Sequence, residues 1–310
     1  MDSHGNSQRR SGRRGPKPKQ PQERTPRRTQ VVDDDGWTHV VSTSKRPQHR
    51  KGKGKGKMTT KENSLPLQED VLVPAEAPDG LTFEQLKEKF QKHLERWESS
   101  RTWLRLKENL GSAQLKAVSQ TLEQCVCIGL GSPSGLLRGG IVDRRAVSMY
   151  QLAALASLLH HLNRTAPRAI DANQAPNQEV SPASNPLKCY AQDPVFNELD
   201  IKLLEYLGIT VLTDTAFSLV DGSTFLYAPG AERAQLALLL DKRPPLFFGG
   251  PLSDISSVTV SEERATEARA IDAYAAITTA AELPKFEPSE NAFWRMSLFW
   301  QSEQNEDVKT

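Results

Sequence analysis

The sequence predicts an α/β fold. The expected architecture is a Rossmann-like, doubly wound, mostly parallel sheet of about five or six strands with flanking helices, preceded by a disordered basic arm. Three observations carry this. Short, almost wholly apolar runs ("CVCIG", "LKCYA", "ITVL", "TFLYA", "PLFFG") recur between residues 125 and 249, and strands apolar on both faces belong to a parallel sheet covered on both sides. Helical stretches separate most of these runs, the alternation of βαβ units. The first run ends in "GLGSPSG", residues 129–135, a strand-to-helix turn built from small residues.

The N-terminal part sets the charge. Residues 1–60 hold 16 Lys/Arg against 5 Asp/Glu, a net +11, so residues 61–310 carry −9 within the chain's total of +2. Such a composition has too little to bury to offset the entropy of ordering, and residues 1–75 read as a disordered basic arm. Its one apolar cluster lies in "DDDGWTHVV". Asp35, Gly36 and Trp37 are candidates for a short partner-docking motif, with a chance apolar spot as the alternative. The cationic runs "RRSGRRGPKPK" and "RKGKGKGK" allow weak, non-specific nucleic-acid contact and suit import receptors. No leader-like apolar stretch opens the chain and none approaches the roughly 20 residues of a membrane helix. The expectation is a cytoplasmic or nuclear protein, not secreted, without membrane contact, and with an unidentified protein partner.

Order is expected from Leu81, in a domain spanning 81–305. Thr82 and Gln85 form a capping box, with Leu81 and Leu86 as its staple. Phe83, Leu86, Phe90, Leu94, Trp97 and Leu104 then recur at helical spacing, predicting one long helix. After the first strand, Leu155, Leu158, Leu159 and Leu162 stripe a helix over 144–162, and 163–186 reads as an inserted loop. The second strand, 187–191, leads to the helix "NELDIKLLEYLG", with Gly208 beyond its cap. Strands at 209–212, 224–228 and 245–249 follow, the helix "AERAQLALLL" lying between the last two. A helix over 261–280 comes next, and "FWRMSLFW" alternates with period two, predicting the last strand of the sheet.

In an open α/β sheet a ligand sits beyond the carboxyl ends of the strands, where their order reverses. Gly129, Gly131 and Gly135 there would offer backbone amides, and Ser132 and Ser134 hydroxyls, to an anion. The spacing G-x-G-x-x-x-G is one residue longer than the dinucleotide fingerprint. The first acid after the second strand, Asp193, stands 62 residues beyond Gly131, against about 20 in that fingerprint. Asp193 either caps the next helix or faces a ligand. No Walker lysine follows the loop, and "GSPSG" is not a nucleophile elbow. Gly230 and Gly249, at the ends of the fourth and fifth strands, complete the candidate ligand-binding set. A nucleotide or S-adenosylmethionine is the cofactor class such a loop would take.

Cys125, Cys127 and Cys189 are too few and too far from other ligands for a metal site, and read as buried small hydrophobes. Adjacent His160 and His161 diverge by about 100° on a helix and read as a surface pair. No catalytic residue emerges from local spacing.

The segments "CIGLGSPSG", "YAQDPVFNELDIKLLEYLGITVL", "TFLYAPGAERAQLALLL" and "LFFGGPL", with "DDDGWTHVV" in the arm, resemble the SRR-like (sensitivity to red light reduced) domain family over roughly residues 85–300. The resemblance implies a Rossmann-like domain with regulatory roles, in light and clock signalling in plants and in cytoskeletal or stress responses elsewhere, and no established enzymatic activity. Many members carry Pro-His-Cys after the fourth strand and Gly-Asn-Ser after the fifth. Here Pro229-Gly230-Ala231 and Gly249-Gly250-Pro251 stand in those places, fitting a divergent, fungal-looking branch. The function expected is that of a non-catalytic or ligand-sensing regulatory protein. The alternative is a nucleotide- or S-adenosylmethionine-dependent small-molecule transferase using the loop 129–135.

Overall fold

The computed structural model describes residues 28–32, 38–42, 73–137, 142–165, 186–252 and 262–302. The chain divides into two compact units, Met1–Glu62 and Asn63–Thr310. In the first, β1 (Arg28–Val32) and β2 (Thr38–Ser42) pair antiparallel, Arg28 opposite Ser42 and Val32 opposite Thr38. Within the arm expected over residues 1–75, this pair of short strands and residues 73–75 are the described part. The β-branched residues Thr29, Val31, Val32, Thr38, Val40 and Val41 favour an extended ladder over the local polar bias. Asp35, Gly36 and Trp37, the runs at 9–19 and 50–57, and residues 166–185 of the expected inserted loop lie outside the described residues.

The second unit holds a seven-stranded sheet in the order β5-β4-β3-β6-β7-β9-β8. Its strands are β3 (Gln124–Ile128), β4 (Lys188–Gln192), β5 (Ile209–Val211), β6 (Thr224–Ala228), β7 (Leu246–Gly249), β8 (Thr278–Glu282) and β9 (Ser297–Gln301). The first five are parallel, and β9 runs antiparallel to both of its neighbours. Strand order reverses between β3 and β6, the switch point at which ligand crevices form. The α/β doubly wound expectation holds, with one more strand than foreseen.

The extra strand comes from a helix shorter than expected. The helix after β7 ends at Ala276 and Thr278–Glu282 is strand, three of its five residues exposed. Only pairing with β9 identifies it, because the helical stretch runs into "TTAAE" without a breaker. The period-two stretch 293–300 forms a strand only from Ser297. Arg295 adopts φ +54 just before it, and Trp294 is left exposed.

The helices are α1 (Phe83–Glu98), α2 (Arg101–Leu110), α3 (Ala113–Thr121), α4 (Arg145–Thr165), α5 (Glu198–Tyr206), α6 (Ala216–Leu219), α7 (Arg233–Leu240) and α8 (Glu262–Ala276). The expected single helix from Leu81 is two. Ser100 accepts from the Trp103 amide at 3.1 Å and donates to the Trp97 carbonyl at 2.6 Å, so it caps α2 and turns the chain. That turn buries Trp103 and leaves Leu104 exposed. The capping box of Thr82 and Gln85 is present, and Gly208 follows α5 at φ +76.

Alternating side chains of each strand divide the core. Val126, Ile128, Leu226, Ala228, Phe247 and Phe299 pack with residues of α6, α7 and α8 on one face. On the other, the Tyr227 ring stacks on Phe248 and its hydroxyl donates to the Gln151 carbonyl of α4 at 2.7 Å. Trp97 of α1 meets Phe286 and Phe293 in the same layer. All three cysteines are buried free thiols, Cys125 opposite Cys189 in register, and burial pushes the Cys125 and Cys127 thiols up.

Candidate functional site

The glycine loop lies at the switch point. Gly129 and Gly131 have φ of +70 and +72, a backbone that L side chains rarely adopt. A Cβ on Gly129 would come within 2.5 Å of the backbone of Gly230 and Ala231, whereas one on Gly131 would meet only the Ser148 hydroxyl at 2.6 Å. Glycine at 129 therefore lets the turns after β3 and β6 pack backbone to backbone.

Two of the amides expected to await an anion, those of Gly131 and Gly135, are occupied. Asp193, just beyond the end of β4, accepts from the Gly131 amide at 2.8 Å and, through its other oxygen, from the Val195 amide at 3.1 Å. Asp200 accepts from the Ser132 hydroxyl at 2.5 Å and the Ser134 amide at 2.9 Å, and the Asn197 amide donates to it at 3.1 Å. The Gly135 amide donates to the Ser132 hydroxyl at 2.8 Å. Two carboxylates of this chain thus fill the place assigned to a ligand's phosphate, and the serine hydroxyls turn inward with them. Ser132 and Ser134 are buried.

Residues 73–80 close the loop further. The Ala75 amide donates to the Val195 carbonyl at 2.8 Å. Glu76 and Leu136 exchange backbone hydrogen bonds of 3.0 and 2.8 Å, and the Asn197 side-chain amide donates to the Ala75 carbonyl at 3.1 Å. Order begins ahead of Leu81 because this strap completes the pairing of a buried loop.

Asp193 does not cap α5. Asn197 does, accepting from the Leu199 and Asp200 amides, with Asp200 answering in a capping box. Burial raises the pKa of both Asp193 and Asp200, and the hydrogen bonds they accept oppose the shift.

What remains at the switch point is a cavity of about 150 Å³ lined by Gly131, Asp193, Gly230, Arg144, Ser148 and Gln151, among others. Ser148 and Gln151, one turn apart on α4, share a face. Arg144, just ahead of α4, is exposed. Of the expected set, Gly129, Gly131, Ser132, Gly135, Asp193 and Gly230 reach this cavity. Ser134 is turned to Asp200 and Asn197. Gly249 is a paired residue of β7 with the Phe247 ring against it. The sequence reading missed Arg144, Ser148, Gln151 and Asp200, since no local motif marks them. Among the described residues no group of His, Cys, Asp and Glu is arranged to hold a metal ion, and no helix is long and apolar enough to cross a membrane.

Comparison with known proteins gives one family and one distant structure. The structure is that of fibrillarin from Aeropyrum pernix with natively bound S-adenosyl-L-methionine, 12% identical, covering 88% of this chain and 93% of that one at a TM-score of 0.32. No curated protein matches. Residues 86–300 match the SRR1 domain, a span that includes the glycine loop, Asp193, Asp200 and every strand of the seven-stranded sheet except the last residue of β9. The chain belongs to the SRR1 domain family.

Proposed function

We propose that this protein is a ligand-sensing regulatory member of its family, with Asp193 as the sensing group. The observation that carries the reading is the split engagement of that carboxylate, one oxygen on the Gly131 amide and the other on the Val195 amide. It is half-buried and lines the cavity. A hydroxyl or ammonium group entering there competes with the Gly131 amide for the same oxygen. Binding then frees the glycine loop from the β4 end, and the changed loop is the signal. The ligand class is small and polar, with a donor for Asp193 and an anionic end for the guanidinium of Arg144. A ligand shifts such an equilibrium only by its difference in affinity for the two loop states.

A second reading, a nucleotide- or S-adenosylmethionine-dependent transferase, is favoured by one observation. Asp193 follows the strand beside the glycine-loop strand, where an acid receives a ribose hydroxyl in dinucleotide sites.

Titration with adenosine, S-adenosylmethionine, NAD and inorganic pyrophosphate, followed at the Gly131 and Val195 amide resonances, tests both. Sensing predicts that a hydroxyl- or amine-bearing ligand moves both resonances, and that Asp193→Asn abolishes the response. Transfer of a group from bound S-adenosylmethionine to an acceptor would favour the second reading. Pyrophosphate moving the Gly131 resonance equally in the unaltered chain and in Asp193→Asn would overturn both assignments of Asp193.

A further inference from the structure

The groove between α2 and α4 lies apart from the switch point and encloses about 490 Å³. It is lined by Trp103 and Lys107 on α2, by Ser157, His160, His161 and Arg164 on α4, and by Glu98 at the end of α1. Helical spacing builds it. Trp103 and Lys107 are four residues apart, as are Ser157 and His161, and Arg164 is three further on, so each helix turns one stripe to the groove. The Trp103 ring meets His161 edge-on at 6.4 Å.

The charges here run against the rest of the unit. Residues 61–310 are net acidic, yet Lys107, Arg164, His160 and His161 converge on one groove, with Lys116 of α3 adding to the field at His161. Glu98 is the one acid in the lining, and it accepts from the Ser157 hydroxyl at 2.9 Å. Lys107 and Arg164 are exposed. The Nε2 of His161 is shut off from solvent and has no hydrogen-bond partner among the described residues, a costly state for a buried polar atom.

We propose that this groove binds a phosphate monoester, with Lys107 and Arg164 holding the dianion beside the His161 ring. Several cationic donors gathered around one small space suit a compact group of charge about −2 with three strong acceptor oxygens. Burial and then the neighbouring basic groups of Lys107, His160, Arg164 and Lys116 hold the His161 imidazole below its ordinary titration range. A bound dianion reverses the sign of that local field. It therefore favours the protonated imidazole and raises the pH at which His161 titrates.

The test uses the full chain and follows the His161 ring by NMR and Trp103 by fluorescence, with inorganic phosphate and glycerol phosphate as probes and chloride at matched ionic strength as control. Both phosphates, but not chloride, should raise the pH at which His161 titrates. The double variant Lys107→Glu/Arg164→Glu should weaken phosphate binding by roughly tenfold or more. Arg105→Glu, whose residue faces Glu108 on the exposed side of α2, should leave binding unchanged. A phosphoserine peptide that binds more tightly than glycerol phosphate assigns the group to a phosphorylated chain, and equal binding assigns it to a free ester. An unmoved His161 titration at millimolar phosphate overturns the proposal without any variant. So does a shift that chloride reproduces or that survives both charge reversals.

Discussion

Asp193 holds Gly131 by a 2.8 Å hydrogen bond across 62 residues of sequence. That contact makes the end of β4 and the glycine loop one unit. It also changes what the glycines are for, because the turn is braced from inside before any ligand arrives. The three glycines with positive φ in the parallel half of the sheet then differ in cost by what surrounds them.

Substitution by alanine should rank Gly129 well above Gly131, and Gly131 at or slightly above Gly208. Gly208 has open space around a would-be Cβ, so only backbone strain of about 1 kcal/mol applies. Gly131→Ala adds a contact with the Ser148 hydroxyl, which can rotate away. Gly129→Ala drives a Cβ into backbone that cannot retreat, and should cost about 3 kcal/mol or more. Urea unfolding of the three variants checks the order, and equal losses would contradict it.

Asp200→Asn should destabilise the domain by about 1–3 kcal/mol at neutral pH. All three groups pointing at the carboxylate are donors, so an amide NH₂ must face one of them. The pH dependence has a definite sign. Burial places the folded pKa above the unfolded one, so the folded state holds more protons between the two values. The stability tied to that extra proton is present below the unfolded pKa and is lost as pH rises through the folded pKa. The variant lacks the titration, so the stability gap between the unaltered chain and Asp200→Asn should widen as pH is lowered. Asp193 shifts in the same direction but is common to both proteins and cancels in the difference.

The strap at residues 75–76 should matter more than its length suggests. A chain beginning at Leu81 loses the four hydrogen bonds that join Ala75 and Glu76 to Val195, Leu136 and Asn197. At about 1 kcal/mol each, it should melt well below a chain beginning at Asn63, and the Gly135 amide should exchange faster with solvent. Identical melting of the two chains would show that the strap is dispensable.

The parallel half of the sheet was legible because its strands need both faces apolar, so "CVCIG", "TFLYA" and "PLFFG" could be little else. Caps were legible where the chemistry is local, as at Thr82, Gln85 and Gly208. The break after α1 was not, since the apolar stripe passes through Ser99 and Ser100 and only the Ser100 cap shows that Trp103, not Leu104, is buried. Strand β8 was hidden because its pairing with β9 lies outside the local pattern. The site was half legible. The glycines announced a tight turn, but Asp200 reads as an ordinary surface acid of a helix until the fold brings it to Ser132 and Ser134.

The most direct test of a glycine loop held by this chain's own carboxylates is the Gly131 amide itself, measured by hydrogen exchange and chemical shift across the acid pH range without ligand. The expected result is a protected amide whose resonance follows the titration of Asp193, with a midpoint raised by burial, and which loses both properties in Asp193→Ala. A Gly131 amide that exchanges freely, ignores the titration and becomes protected only when a phosphate compound is added would contradict it.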